Sequence, residues 1–372
     1  MKNKLKKILA TGALAVPLLV GAQTGSFKPF TGCCYGPYRT GESPNYGIYP
    51  TINEIAADMP IIKNFCSQIR TYGDENTLFY IPREANNVGV GFYAGAWIDN
   101  AAADSTQLTD LARIGNLNYP TTRGLVVGNE YLYRHGGDLA NLTSSIAQVK
   151  NAVTNKNIKV GAAEQWHIWR DYPTLANSVD FIMVHIHPYW EGQNITNAAN
   201  FVVEKYNFIK NLNPGKKIII GETGWPTAGA TFGQAVPSTN NQEIFFRDFR
   251  KLAAEQNIDY LMFDIFNEQW KIQNEGTVGG NWGILDENRN LKSSMEKILQ
   301  SETKITSISP QNISFRSYES GGYVLERKSS LLTNNWTTVT NLTGAVGTNL
   351  TTLSIPKDSS PTGFYRLKFK YK

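Results

Sequence analysis

The sequence predicts an α/β protein: a (β/α)8 barrel followed by a small antiparallel β domain. Three observations lead there. Between residue 28 and about residue 300, eight short apolar runs alternate with amphipathic stretches, the signature of parallel β/α units. Two of those runs stop at a glutamate, Glu130 and Glu222, and a barrel carries its functional groups at the C-terminal ends of its strands. After Ser301 the composition shifts to Thr, Ser and Asn, with turn signals at Gly321-Gly322, Asn334-Asn335 and Pro361-Thr362-Gly363.

In chain order, the N-terminus comes first. Lys2, Lys4, Lys6 and Lys7 precede an apolar stretch of 13 residues, Ile8–Val20, which is short for a membrane span; Val20-Gly21-Ala22 then offers small residues for cleavage. Residues 1–22 therefore read as a signal peptide, and the mature protein is expected to be secreted, periplasmic or at the cell surface, with no membrane span. The predicted strands are Pro29–Tyr35, Ser67–Tyr72, Val88–Ala96, Arg123–Gly128, Lys159–Ala163, Val179–His185, Lys217–Gly221 and Tyr260–Phe266. Amphipathic stretches between them include Thr51–Asn64, Ser105–Ile114, Leu139–Thr154, Ala198–Asn211 and Asn241–Gln256. Residues 28–300 form the expected barrel, close to the usual size of about 250 residues. Residues 304–372 form the expected sandwich-like β domain, with runs such as Tyr323–Arg327 and Phe364–Phe369.

Composition narrows the function. A hydrophobic content of 41% supplies a sizeable core, and a charged content of 18% argues against a disordered or coiled-coil chain. The net charge of +5 is carried by the ends: the first seven residues hold +4 and residues 304–372 hold +6, leaving −5 on the body. Such a body has no nucleic-acid footprint and suits a neutral polysaccharide. The three cysteines, Cys33, Cys34 and Cys66, make no disulfide framework and read as buried thiols. Seven of the eight tryptophans follow predicted strands: Trp97, Trp166, Trp169, Trp190, Trp225, Trp270 and Trp282. In a barrel they would gather on one face, where indoles can stack on the apolar faces of sugar rings.

Two carboxyl groups across one cleft are the minimum equipment for cleaving a glycosidic bond, and a retaining enzyme needs them about 5–5.5 Å apart. Glu130 and Glu222 close the predicted fourth and seventh strands, whose ends face a common mouth. Other chemistries fit less well. His185 and His187 lie two apart and share a strand face, as a metal pair could, but no third ligand stands at ligand spacing, so neither metal nor cofactor is expected. Gly89–Gly95 has the wrong glycine spacing for a dinucleotide loop, and there is no P-loop or nucleophile-elbow serine.

These residues carry a family resemblance. Val127-Gly128-Asn129-Glu130 and Gly221-Glu222-Thr223-Gly224-Trp225-Pro226 resemble the acid/base and nucleophile motifs of the β-1,3-glucanases of glycoside hydrolase family 17. Gly32–Gly36, Ile69–Tyr72, His187-Pro188-Tyr189, Phe266–Lys271 and Trp282–Asp286 are similar as well, and Gly41–Pro50 and Pro188–Gly192 look more like the bacterial and fungal branches. The resemblance spans about residues 28–300. It implies Glu130 as acid/base and Glu222 as nucleophile, with Asn129 on the sugar 2-OH. Arg70 and Tyr189 would hold Glu222 ionised, and Glu130 would start protonated, a state that partial burial favours. Tyr35, Glu268 and Lys271 would line the subsite of the reacting sugar, with Trp190 and Trp225 in the groove. The expected function is retaining hydrolysis of laminarin-type β-1,3-glucan by a monomer. A glucanosyltransferase on the same scaffold and a non-catalytic glucan-binding surface protein are the alternatives.

Overall fold

The structure, a computed structural model, describes residues 28–99 and 104–303, and beyond them 305–308, 312–317, 322–328, 335–343, 350–354 and 364–370. The expected signal segment, 1–22, lies outside the described residues. Eight parallel strands close into a barrel in sequence order: β1 (Gly32–Cys34), β2 (Gln68–Arg70), β3 (Gly91–Ala96), β4 (Thr122–Asn129), β5 (Val160–Gln165), β6 (Phe181–His185), β7 (Lys217–Thr223) and β8 (Tyr260–Met262). β1 pairs with both β2 and β8, which closes the ring. The helices are α1 (Ile52–Phe65), α2 (Ile81–Val88), α3 (Asp104–Asn116), α4 (Tyr131–Arg134), α5 (Leu139–Ala152), α6 (Trp166–Asp171), α7 (Ile195–Leu212), α8 (Thr239–Glu255), α9 (Ile272–Glu275) and α10 (Ser293–Glu302).

The apolar runs are continuous because the barrel strands are covered on both sides. Every residue of β3 and β6 is buried, as is all of β7 after Lys217. The helices show the complementary pattern. α7 buries Ala198, Val202, Tyr206 and Ile209, a helical stripe turned to the barrel. α1 begins at a capping box: the Thr51 hydroxyl accepts from Glu54 N, and the Glu54 carboxylate accepts from Thr51 N at 2.8 Å. Cys33, Cys34 and Cys66 are free and buried, as expected.

Each predicted strand shifts at one end or both, and two of these shifts have a clear physical reason. Val88 ends α2, and Gly89 at φ 77° caps that helix, so β3 starts only at Gly91. The apolar pattern ran through the cap and concealed the helix. β8 stops at Met262, beyond which backbone bonding is irregular: Phe263 N donates to Thr223 O at 2.8 Å and Ile265 N to Cys34 O at 3.1 Å. This departure places Asp264, buried, against Lys271.

Beyond α10 lie β9 (Ile305–Ile308), β10 (Asn312–Arg316), β11 (Gly322–Lys328), β12 (Thr337–Thr343), β13 (Leu350–Ser354) and β14 (Phe364–Lys370). They form two three-stranded antiparallel sheets, β13-β10-β9 and β12-β11-β14. Phe315 of the first meets Tyr323 of the second at a ring-centre distance of 5.1 Å, and Tyr323 meets Phe369 at 5.5 Å. Gln300 of α10 is tied to β14 by two bonds, to Leu367 O at 3.1 Å and from Phe369 N at 2.7 Å.

Candidate active site

The mouth of the barrel opens into a cleft of about 1270 Å³. Glu130 follows the last residue of β4, and Glu222 is the penultimate residue of β7. One oxygen of each lies, with a ring nitrogen of His185, in a cluster no wider than 4.8 Å. The two carboxyls, distant in sequence, therefore meet at the spacing that a shared acetal requires.

Glu222 is buried and held by three side chains. Arg70 Nη1 lies 3.2 Å from its Oε1, and His187 Nε2 donates to its Oε2 at 3.0 Å. His185 Nε2 lies 3.6 Å from Oε1. Burial alone would raise this carboxyl, but the His187 hydrogen bond and the Arg70 guanidinium outweigh it and hold Glu222 well below the usual carboxylate range. Arg70 comes from β2, is wholly buried, and also donates to Asn129 Oδ1 at 2.7 Å. It acts on the site from behind the carboxylate rather than on its exposed surface.

Glu130 is more open, with 19% of its side chain exposed against 7% for Glu222. Its Oε1 lies 2.9 Å from His185 Nδ1, and its Oε2 accepts from Gln165 Nε2 at 3.3 Å. The guanidinium of Arg70 can only donate, and its Nη1 lies 2.6 Å from His185 Nε2. That nitrogen must then be the acceptor, so Nδ1 carries the proton and donates to Glu130. His185 thus joins Glu130 to Arg70, and Arg70 in turn meets Glu222.

A third carboxylate cluster lines the wall. Lys271 Nζ sits 2.5 Å from both Asp264 Oδ2 and Glu268 Oε2, and Trp270 Nε1 donates to Glu268 Oε1 at 3.0 Å. Burial disfavours the charged amine, yet Asp264 and Glu268 hold Lys271 well above its ordinary value. Burial also pushes Asp264 up, against the pull of Lys271. A Cβ at Gly36 would fall 2.0 Å from Glu268 Oε1, which explains the glycine on the loop after β1. Tyr35 lines the cleft with its ring while its hydroxyl donates to Asp58 Oδ2 at 3.0 Å.

Several expectations are corrected here. The Tyr189 hydroxyl donates to Ala230 O at 2.8 Å rather than to Glu222, and His187 takes the place assigned to it. Trp225 is fully buried, edge-on to Tyr189 and tilted against Phe245, and donates to Val236 O, so it offers no face to a ligand. Trp169 and Trp282 are likewise buried, whereas Trp97, Trp166, Trp190 and Trp270 line the cleft. Trp190 is 39% exposed and braced by Tyr189 and Phe232. The third potential metal ligand missing from local spacing is supplied by other strands, since Glu130, His185 and Glu222 converge. The Arg70 guanidinium already lies against two of them and supplies positive charge there. Asp264, Gln165 and Glu275, which accepts from Trp282 Nε1 at 2.8 Å, were not anticipated.

The BtgE/BtgC glycoside hydrolase domain matches residues 32–283. The chain belongs to glycoside hydrolase family 17. It is thus a glycosidase, and the family 17 domain includes both glutamates. A glucan 1,3-beta-glucosidase of Schizosaccharomyces pombe is 28% identical over 302 residues, covering 77% of this family 17 chain and 94% of the relative. A glucan endo-1,3-beta-glucosidase of Emericella nidulans is 28% identical over 309 residues, and the match spans 47% of that longer protein. Among solved structures, a β-1,3-glucanosyltransferase of Rhizomucor miehei in complex with laminaritriose is 30% identical with a TM-score of 0.64, covering 72% of this chain and 97% of the other.

Proposed function

We propose that this family 17 enzyme acts on β-1,3-glucan with retention of configuration, Glu222 serving as nucleophile and Glu130 as acid/base. The single observation behind this reading is the pair itself: two carboxyls within one cluster no wider than 4.8 Å, of which Glu222 is the one that meets the Arg70 guanidinium. The Glu222 carboxylate attacks the anomeric carbon while Glu130 protonates the leaving oxygen. A glycosyl ester forms, and Glu130, now a base, takes a proton from the incoming hydroxyl that releases the sugar. Asn129, oriented by Arg70, meets the 2-OH. Glu268, Lys271 and Tyr35 flank the reacting sugar, and Trp190 supports a neighbouring one.

Whether water or a sugar hydroxyl resolves the ester separates hydrolase from glucanosyltransferase. The transferase reading is favoured by one observation, the 30% identity to the Rhizomucor miehei transferase over nearly all of that chain. Proton NMR of the first products from laminarioligosaccharides tests the scheme. Products born in the β configuration support it, and initial α anomers overturn it. Mass profiles of the same reactions separate the two fates of the ester, since products longer than the substrate mark transfer. The basic, apolar N-terminus directs the chain out of the cytoplasm, and the sheets after α10 form an accessory module to a monomeric barrel.

A further inference from the structure

We infer that Glu164 is a positioning residue for Glu130, holding its left-handed backbone from the neighbouring strand so that the Glu130 carboxyl faces the cleft. This rests on the reading of Glu130 as acid/base.

The backbone of Glu130 is at φ 51° and ψ 36°, two residues after Gly128 at φ 76°. A side chain in that region costs about 1–2 kcal/mol and persists only where the surroundings over-determine it. The end of β5 supplies that constraint with three consecutive residues. Ala163 O accepts from Glu130 N at 2.8 Å, Glu164 Oε1 accepts from Leu132 N at 2.6 Å, and Gln165 Nε2 donates to Glu130 Oε2 at 3.3 Å.

The middle contact has a specific consequence. Glu130 occupies the N-cap position of α4, where a side chain ordinarily bends back to satisfy the first free amides of the helix. It makes no such bond. Glu164 accepts in its place from β5, so Glu130 is released from capping and can project into the cleft. Glu164 is fully buried, and its second oxygen has no partner among the described residues. Burial pushes its carboxyl up to about 8, against the backbone hydrogen bonds from Leu132 and Tyr133 and with Glu130 adding to the rise. Near neutral pH it is therefore a neutral acceptor that places no second charge beside Glu130.

The test reads acid catalysis separately from folding. kcat/KM is measured on two aryl β-laminaribiosides, phenyl (a poor leaving group) and 2,4-dinitrophenyl (which departs without a proton). Glu164→Leu should lose about 10- to 100-fold on the phenyl substrate and less than about threefold on the dinitrophenyl one. Glu164→Gln keeps an acceptor oxygen without ionising and should stay within about threefold of wild type on both. Equal losses on both substrates for Glu164→Leu, no loss at all, or a Glu164→Gln variant as impaired as Glu164→Leu would each overturn the assignment. If Glu164→Leu does not fold, Glu164→Asp, which retracts the oxygen by one methylene, reads the same contrast. Glu130→Gln serves as control: without a leaving-group contrast of its own, the acid/base reading fails first and this one with it.

Discussion

Glu130 and Glu222 stand at the ends of two strands of one barrel, yet they are held in opposite ways. Glu222 is gripped through its side chain by Arg70 and His187, deep in the protein. Glu130 is gripped mainly through its backbone, by Ala163 and, through Leu132, by Glu164, while its carboxyl takes bonds from a ring N–H and an amide. The first arrangement fixes charge; the second fixes direction and leaves the proton free to move. The lesson is that one barrel mouth can assign two like residues to different tasks by where it puts its cations.

The largest expected effects break this comparison directly. Glu222→Gln removes the bond-forming oxygen and should lower kcat on laminarioligosaccharides by roughly 10⁴- to 10⁶-fold, as removal of other hydrolytic nucleophiles does. Oligosaccharide binding, measured by calorimetry, should remain nearly unchanged. Glu130→Gln should cost less, on the order of 10²- to 10⁴-fold on the same substrate. If the two losses are the same for an activated aryl glycoside as for the natural one, the carboxyls do not have separate roles.

A smaller effect sharpens the comparison on its cationic side. As the proposed nucleophile Glu222 has to be ionised, and its folded pKa is held below the ordinary range, so activity should persist as pH falls through that range. Arg70→Met removes one of the charges responsible and leaves burial to pull the other way. The acid limb of the kcat/KM profile should then rise by about one pH unit or more, with roughly a 10²-fold loss at neutral pH. A limb that stays in place would assign the control of Glu222 to the His187 hydrogen bond.

How much of this was legible in the sequence follows from what each contact depends on. Alternation and run length reveal elements, because burial on both faces writes continuous apolar strands; α2 escaped because the apolar pattern continues through Gly89. The meeting of Glu130 and Glu222 was legible because strand ends of a closed barrel share one mouth. His185 and His187 were noticed for sharing one face, but their target lies across the β6–β7 pairing, which local spacing does not encode. Glu164 was silent for the same reason: a glutamate after Ala162-Ala163 reads as a strand end, and only the third dimension puts it under α4. The tryptophans mislead in a different way. Their positions after strands are right, but whether an indole faces the cleft or the helices depends on loop conformation.

That last distinction gives the smallest predicted effect. Trp190 is open to the cleft, while Trp225 lies beneath it, separated by the Tyr189 ring. Trp190→Ala should raise KM for laminarioligosaccharides about tenfold, the loss of one stacking face, with little change in thermal stability. Trp225→Ala should do the reverse. It empties a buried indole site and costs about 3–5 kcal/mol of stability, while the folded fraction keeps its KM. Unfolding curves and saturation kinetics on the two variants separate these outcomes. A KM effect at Trp225 with stability intact would mean that this indole reaches the glucan, and the boundary drawn between groove and core at Tyr189 would have to move.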